Sequence, residues 1–336
     1  MSTIRIDKGA EFHCDADDTL LRAGLRSGLG FPYECNAGSC GTCKVELVEG
    51  QITSLRPDAP GLGERDRVKN RVLACQARPV TDCTIKVRLR EENVPKHRPA
   101  KFAATLTGFR DLTHDMREFT FKAQDAPGFL AGQYALFYLP GLEAPRTYSM
   151  SNTDDGSGTW QFIVRRVPGG TGTVTLFDKV AIGSGITLDG PYGLAYLRPD
   201  SPRDIILIGG GSGLAPVLSL ARGVVAEPRL DGRKAHVFYG ARTTRDLCGA
   251  AELEALPGFG SRITFTPVLS HHGDDSVETW DGAKGFVHEI ARDFVGERWA
   301  DFEYYFAGPP PMAEAVQRML IEKRVPFPQV HFDSFY

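Results

Sequence analysis

The sequence predicts a chain of three modules: a small α+β domain, an antiparallel β-barrel and an α/β domain with a parallel sheet. Three observations carry that reading. The 336 residues are about twice an ordinary domain. A charged, proline-punctuated stretch from Arg90 to Pro99 has the composition of an exposed linker. Beyond it the apolar pattern turns first to short alternating runs, then to apolar runs interleaved with helical periods. The expected boundaries are 1–92, a linker at 93–99, 100–200 and 201–336.

In the first module the spacing from Thr19 to Ser27 is helical, and Lys44–Val48 and Thr84–Leu89 alternate as half-buried strands. Four of the seven cysteines follow Cys35-x4-Cys40-x2-Cys43 and, after 31 further residues, Cys75. This is the ligand spacing of a plant-type 2Fe-2S cluster, where four thiolates hold two irons. The small residues between them, Asn36 to Ser39 and Gly41-Thr42, let the loop wrap tightly and aim N–H groups at sulfur. Four cysteines also suit a structural zinc, but zinc ligands more often come as two short hooks. Cys14, Cys83 and Cys248 lack ligand spacing and read as small buried hydrophobes.

The middle module shows short alternating runs at Phe102–Leu106, Met116–Phe121, Tyr134–Leu139 and Trp160–Arg166, the pattern of an antiparallel barrel. Within it stand Arg146-Thr147-Tyr148-Ser149 and Gly169-Gly170-Thr171-Gly172-Thr173. An arginine can clamp a diphosphate, a tyrosine can pack on a flat isoalloxazine, and a serine can bond the flavin edge near its hydride-accepting nitrogen. A glycine-rich run can present N–H groups to phosphate. Turn chemistry explains either motif alone; their order and separation favour a flavin site.

In the third module Ile205–Ile208 runs into Gly209-Gly210-Gly211-Ser212-Gly213 and a helical pattern containing Pro216. A buried strand feeding a glycine turn and a helix N-terminus makes an anion site. Apolar runs at Ala235–Gly240, Ile263–Leu269 and Phe302–Phe306 alternate with helical stretches such as Ala313–Lys323, which predicts a parallel sheet. Arg242 and Arg245 suit a 2′-phosphate, an adenine face or water equally. His271-His272 beside Gly273-Asp274-Asp275 reads as a solvated loop rather than a metal site.

The stretch Tyr33–Lys44 with Leu73–Gln76 resembles the ferredoxin domain of flavin-dependent reductases of bacterial oxygenases, which implies a ferredoxin-like β-grasp fold over about the first 90 residues. The R-x-Y-S motif and the glycine–threonine run are similar to those of the ferredoxin-NADP reductase superfamily. That resemblance puts Arg146 on the pyrophosphate, Tyr148 on the flavin and ribityl chain, and Ser149 at the isoalloxazine as a catalytic residue, with Thr147 on the same cofactor-binding strand. It implies that Ile163 and Val164 line the FAD and that Gly170, Thr171, Gly172 and Thr173 surround its phosphates, Thr173 standing where serine is usual. A ferredoxin-first order implies FAD rather than FMN. For the nicotinamide dinucleotide the resemblance indicates Gly210, Gly211, Ser212, Gly213, Arg242, Gly308 and Pro309, with Ala307 in place of the usual cysteine. A terminal aromatic, Tyr336 with Phe335 as second choice, is expected to stack on the flavin and yield to the nicotinamide.

Over nearly its whole length the chain resembles the reductase component of bacterial multicomponent aromatic-ring oxygenases, especially toluene/xylene monooxygenase reductases. The resemblance implies electron flow from NADH through FAD and the 2Fe-2S cluster to a Rieske ferredoxin or the oxygenase hydroxylase component. A reductase for a Rieske aromatic-ring dioxygenase is the alternative within this class, and a non-catalytic redox sensor the alternative outside it.

Composition narrows the field. With 39 Lys+Arg against 42 Asp+Glu the chain has no general attraction for nucleic acid. Its start lacks the apolar stretch of a secretory signal, so a cytoplasmic protein without disulfides is expected. The longest mainly apolar window, Ile205–Ala221, is broken by glycines and is not read as a membrane span. A monomer is expected. Residues 1–90 hold 14 cations and 12 acids, so docking by bulk charge is not expected either.

Overall fold

The computed structural model describes residues 1–7, 9–271 and 274–334. The N-terminal part folds as β1 (Ser2–Ile6), β2 (Glu11–Cys14), α1 (Leu20–Arg26), β3 (Lys44–Glu49), β4 (Ile52–Ser54), α2 (Glu64–Val68), β5 (Arg71–Leu73), β6 (Ala77–Pro79) and β7 (Cys83–Lys86). The main sheet has the order β2-β1-β7-β3-β5, with β1 parallel to β7 and the other neighbours antiparallel, the expected β-grasp. Thr19 caps α1 by accepting the Arg22 N–H, and Leu20, Leu21, Ala23 and Leu25 are buried on it. The strand expected over Thr84–Leu89 ends at Lys86; beyond it the Arg90 N–H bonds the Gly30 carbonyl instead of a sheet partner.

Next come β8 (Ala100–Asp111), β9 (Met116–Lys122), β10 (Tyr134–Tyr138), β11 (Arg146–Ser149), β12 (Thr159–Arg165), α3 (Thr171–Asp178) and β13 (Gly185–Tyr192). Their sheet order is β11-β10-β13-β8-β9-β12. A Met150–Phe162 bridge just past β11 nearly closes it into the expected antiparallel barrel. Leu106, Phe119, Phe121, Trp160 and Phe162 are buried. β8 extends five residues beyond the predicted Leu106, past a register shift at Leu106/Gly108.

The chain divides into two compact units, one of Met1–Phe102, Ala135–Thr147 and Thr187–Leu194, the other of Ala103–Tyr134, Tyr148–Ile186 and Ala195–Tyr336. Parts of β10, β11 and β13 and the start of β8 group with the N-terminal residues in the first unit.

The last part comprises β14 (Asp204–Gly210), α4 (Leu214–Ala226), β15 (Ala235–Ala241), α5 (Ala250–Glu254), β16 (Ile263–Leu269), α6 (Asp275–Glu278), β17 (Ala283–Lys284), α7 (Val287–Val295), β18 (Phe302–Gly308), α8 (Pro310–Glu322) and β19 (Val330–Ser334). The sheet is parallel throughout, in the order β17-β16-β15-β14-β18-β19. Strand order reverses between β14 and β18, and the crevice at the carboxyl ends of such strands is where nucleotides bind. Within the second unit α4 packs against barrel segments: the Ser219 hydroxyl accepts from the Gly132 N–H at 3.1 Å and donates to the Asn152 carbonyl at 2.7 Å. Arg222 reaches the Ser151 carbonyl at 2.6 Å, and Ile163 and Met116 share a core with Leu214, Leu218 and Leu220.

Candidate active site

The cluster loop fits two irons better than one zinc. A tetrahedral zinc would hold its sulfurs about 3.8 Å apart, given Zn–S bonds of about 2.3 Å. Among the described residues, however, the one group of three or more metal-ligating atoms all within 4.8 Å of each other is His114, Asp115 and Asp246. The cysteine thiols instead interact in pairs, Cys35 with Cys40 and Cys43 with Cys75, and each pair would hold one iron of a 2Fe-2S cluster. N–H groups of Ala37 and Cys40 point at the Cys35 sulfur at 3.4 Å, and that of Thr42 at the Cys40 sulfur at 3.5 Å. The hydrogen bond with Cys40, ahead of the opposing burial, brings the Cys35 thiol down to about 7. Buried Gln76 donates to the Cys75 sulfur at 3.4 Å. By contrast burial pushes Cys14 up to about 12 and Cys248 to about 11, as inert thiols require.

A buried ionic network supports this loop inside the first unit. Arg22 is 1% exposed; its Nε donates to Asn36 Oδ1 at 3.2 Å and its Nη1 to the Tyr138 hydroxyl at 3.3 Å. One turn on, Arg26 grips Asp189 with two bonds of 2.8 and 2.9 Å and reaches Asp18 at 3.0 Å. Burial works against the Arg26 charge, but the bonds and fields of Asp189, Tyr192 and Asp18 raise its pKa overall. The network ties α1 to β10 and β13, which the sequence did not foretell.

On β11, Arg146 and Thr147 belong to the first unit and Tyr148 and Ser149 to the second. Arg146 Nη1 donates to the Ala144 carbonyl at 2.8 Å, Tyr148 is half-buried and Ser149 is 5% exposed. The Thr147 hydroxyl lies 3.5 Å from the carbonyl of Cys35, so the first half of β11 meets the cluster loop within the first unit. Ile163 and Val164 are both buried, but neighbours on a strand point to opposite faces, so their side chains do not share one surface. The glycine–threonine run is a helix start: Gly170 caps α3, leaving the Gly172 and Thr173 N–H groups in its first turn. The Thr173 hydroxyl accepts from the Val167 N–H and faces the Gly170 carbonyl, so its polar capacity is turned inward rather than toward a phosphate.

The two nucleotide turns converge. β14 ends at Gly210, and Gly211 to Gly213 form a short turn into α4, with Pro216 tolerated at its third position. A Cβ on Gly213 would stand 2.0 Å from the Ala307 carbonyl, so only glycine lets this turn close on β18. Gly308 ends β18, and Pro309 caps α8 with two prolines in its first turn. Arg165, paired with Asp115 at 2.6 Å, approaches the turn at Gly211. A pocket beside Ala307 is lined by Ala195, Leu220, Tyr305, His331 and Asp333, among others. Arg242 and Arg245 are exposed, while Asp246 is engaged by the Thr243 N–H and hydroxyl. His271 is exposed; His272, Phe335 and Tyr336 lie outside the described residues. No helix among them is long and apolar enough to cross a membrane.

Residues 4–80 match the family of 2Fe-2S iron-sulfur cluster binding domains, 103–196 the oxidoreductase FAD-binding domain and 207–318 the oxidoreductase NAD-binding domain. The chain is 37% identical over 340 residues to the ferredoxin–NAD(P)(+) reductase CarAd of Metapseudomonas resinovorans, covering all of both chains. It is 33% identical to the xylene/toluene monooxygenase electron transfer component XylA of Pseudomonas putida, covering 100% of this chain and 94% of XylA. Among solved structures, the ferredoxin reductase in carbazole 1,9a-dioxygenase superposes with a TM-score of 0.92 at 37% identity, over 99% of this chain and 98% of that one.

Proposed function

This chain belongs to the ferredoxin–NAD(P) reductases that serve as electron-transfer components of oxygenase systems, and from that premise we propose that it takes electrons from NADH and hands them singly to a Rieske ferredoxin or an oxygenase hydroxylase component. When bound, FAD and the 2Fe-2S cluster supply the conversion of a hydride pair into single electrons. The observation that carries the reading is the contact of Thr147 with the Cys35 carbonyl, which brings the Arg146–Thr147 part of the proposed flavin strand to the cluster loop. Around the flavin we assign Arg146, Thr147, Tyr148 and Ser149, the backbone of Ile163 and Val164, and the α3 start from Gly170 to Thr173. Around the nicotinamide dinucleotide we assign the turn Gly210–Gly213 with Gly308, Pro309 and Arg242. Tyr336 stays the proposed flavin-stacking residue. Asp246, fixed by Thr243, lies on the same loop as the two exposed arginines and supports NADH over NADPH.

The proposed partner system is an aromatic hydrocarbon monooxygenase; a Rieske dioxygenase is the second reading, favoured by the likeness to the carbazole dioxygenase reductase. A monomer remains part of the proposal, and Cys14, Cys83 and Cys248, which form no disulfide, support a reducing, cytoplasmic setting. Turnover at equal NADH and NADPH, with purified Rieske ferredoxins and hydroxylase components as acceptors, tests the assignment. A strong NADPH preference overturns the donor, and failure of every such acceptor overturns the partner class.

A further inference from the structure

Of the four cluster cysteines Cys40 is the most open to solvent; Cys35, Cys43 and Cys75 are 9%, 3% and 0% exposed. The segment 56–71 lies against that open side. The Gly61 N–H bonds the Gly38 carbonyl at 3.0 Å, and Arg56 reaches the Ala37 carbonyl at 3.5 Å. Lys44, one residue past Cys43, pairs with Asp66 of α2 at 2.7 Å. α2 buries none of its five residues, and Val68 is 88% exposed, so this helix adds nothing to the core. Held against the open side of the cluster loop and contributing nothing to the core, this exposed segment is free to meet a partner.

The charge here is uneven although the module as a whole is nearly neutral. Lys44, Arg56, Arg65, Arg67, Lys69 and Arg71 are six of the fourteen cations in residues 1–90, whereas Asp58, Glu64 and Asp66 are three of the twelve acids. Asp66 is already shared between Lys44 and Arg71. Arg65 and Lys69 are exposed and form no ion pair among the described residues. The rim of the open sulfur is therefore positive, and the rest of the module slightly negative.

We propose that the 56–71 rim, centred on Val68, is where the electron acceptor docks, and that the acceptor is a protein presenting an acidic face. The proposal rests on reading the cluster as the point where electrons leave. One electron passes from the reduced protein to the oxidised acceptor, and no bond is made or broken. Charge at such a rim acts mainly on the association rate, so it acts with opposite sign on acceptors of opposite charge.

The test uses the full-length holoprotein and its R65E/K69E variant with two haem-protein probes, the acidic soluble domain of cytochrome b5 and basic cytochrome c, at low and high ionic strength. The variant is expected to lower kcat/KM for cytochrome b5 about ten-fold at low salt and to raise that for cytochrome c, both effects fading as salt screens the charges. R65Q/K69Q, which removes charge without reversing it, is expected to give about half the logarithmic change of R65E/K69E. NADH-driven flavin bleaching and iron content should stay those of the wild type. Rates within two-fold of wild type for both probes, or changes of the same sign, overturn the docking assignment. Failure of NADH to reduce the cluster of the wild-type protein overturns instead the exit reading beneath it.

Discussion

Replacing Arg26 with methionine probes the ionic network that holds α1 to β10 and β13. The guanidinium makes two bonds to Asp189, at 2.8 and 2.9 Å, one to Asp18 at 3.0 Å and one to the Tyr192 hydroxyl at 3.0 Å. Asp189 is 0% exposed, so its carboxylate cannot turn to water when the cation goes. It keeps the Tyr192 hydroxyl at 2.8 Å, but no cation bonded to it. Removing one partner of such a pair costs about 3–5 kcal/mol, because the other charge stays buried and uncompensated. At about 4 °C per kcal/mol for a unit of this size, the melting temperature should fall by roughly 12–20 °C. Thermal unfolding followed by far-ultraviolet circular dichroism, with visible cluster absorbance as the local probe, measures the loss. The double variant R26M/D189N should recover part of it, since the fully buried carboxylate is then gone and only Asp18 is left without its cation. A fall of less than 2 °C in R26M, or a double variant weaker than R26M, would refute the reasoning.

Two further predictions follow the same logic at the other sites. Gly213→Ala sets a methyl 2.0 Å from the Ala307 carbonyl and forces the turn away from β18 at a cost of about 1–3 kcal/mol; KM for NADH should rise about ten-fold while flavin and iron content hold, and an unchanged KM contradicts the assignment of this turn. Burial opposes ionisation of Glu303, but the bonds from His331 and Ser201, each 2.8 Å, and the nearby Arg203 bring its pKa below the usual 4.5. A carboxylate with a lowered folded-state pKa stabilises fully above its unfolded value and progressively less as pH falls through the folded one. The stability gap between wild type and Glu303→Gln, about 1–3 kcal/mol near pH 7, should therefore shrink as pH falls below 4.5, and a gap independent of pH in urea unfolding would count against the pairing.

The cluster ligands were legible in the sequence because metal ligation constrains local spacing, and three of the four cysteines fall within nine residues. The parallel sheet was legible too, since Ile205–Ile208 is a continuous apolar run of the kind a strand buried on both faces requires, and Phe302–Phe306 is interrupted only by Glu303. Arg22 and Arg26 were not: on a helix an arginine ordinarily marks the solvent face, and the partner that buries Arg26 lies 163 residues away. Arg22 and Arg26, four residues apart, share one face of α1 and read in sequence as an ordinary solvent-facing stripe. The start of α3 was hidden by glycine and threonine, poor helix formers whose role there is set by tertiary packing. α2 was hidden because a five-residue helix that buries nothing leaves no apolar period.

Stepwise anaerobic titration of the reconstituted protein with NADH, watching flavin and cluster absorbance together with the low-temperature electron paramagnetic resonance spectrum, tests the relay most directly. The account predicts two irons per chain, bleaching of both chromophores, and the spectrum of a reduced 2Fe-2S centre that disappears when an acceptor protein is added. Zinc in place of iron, or a flavin that bleaches while no such spectrum ever develops, would contradict it.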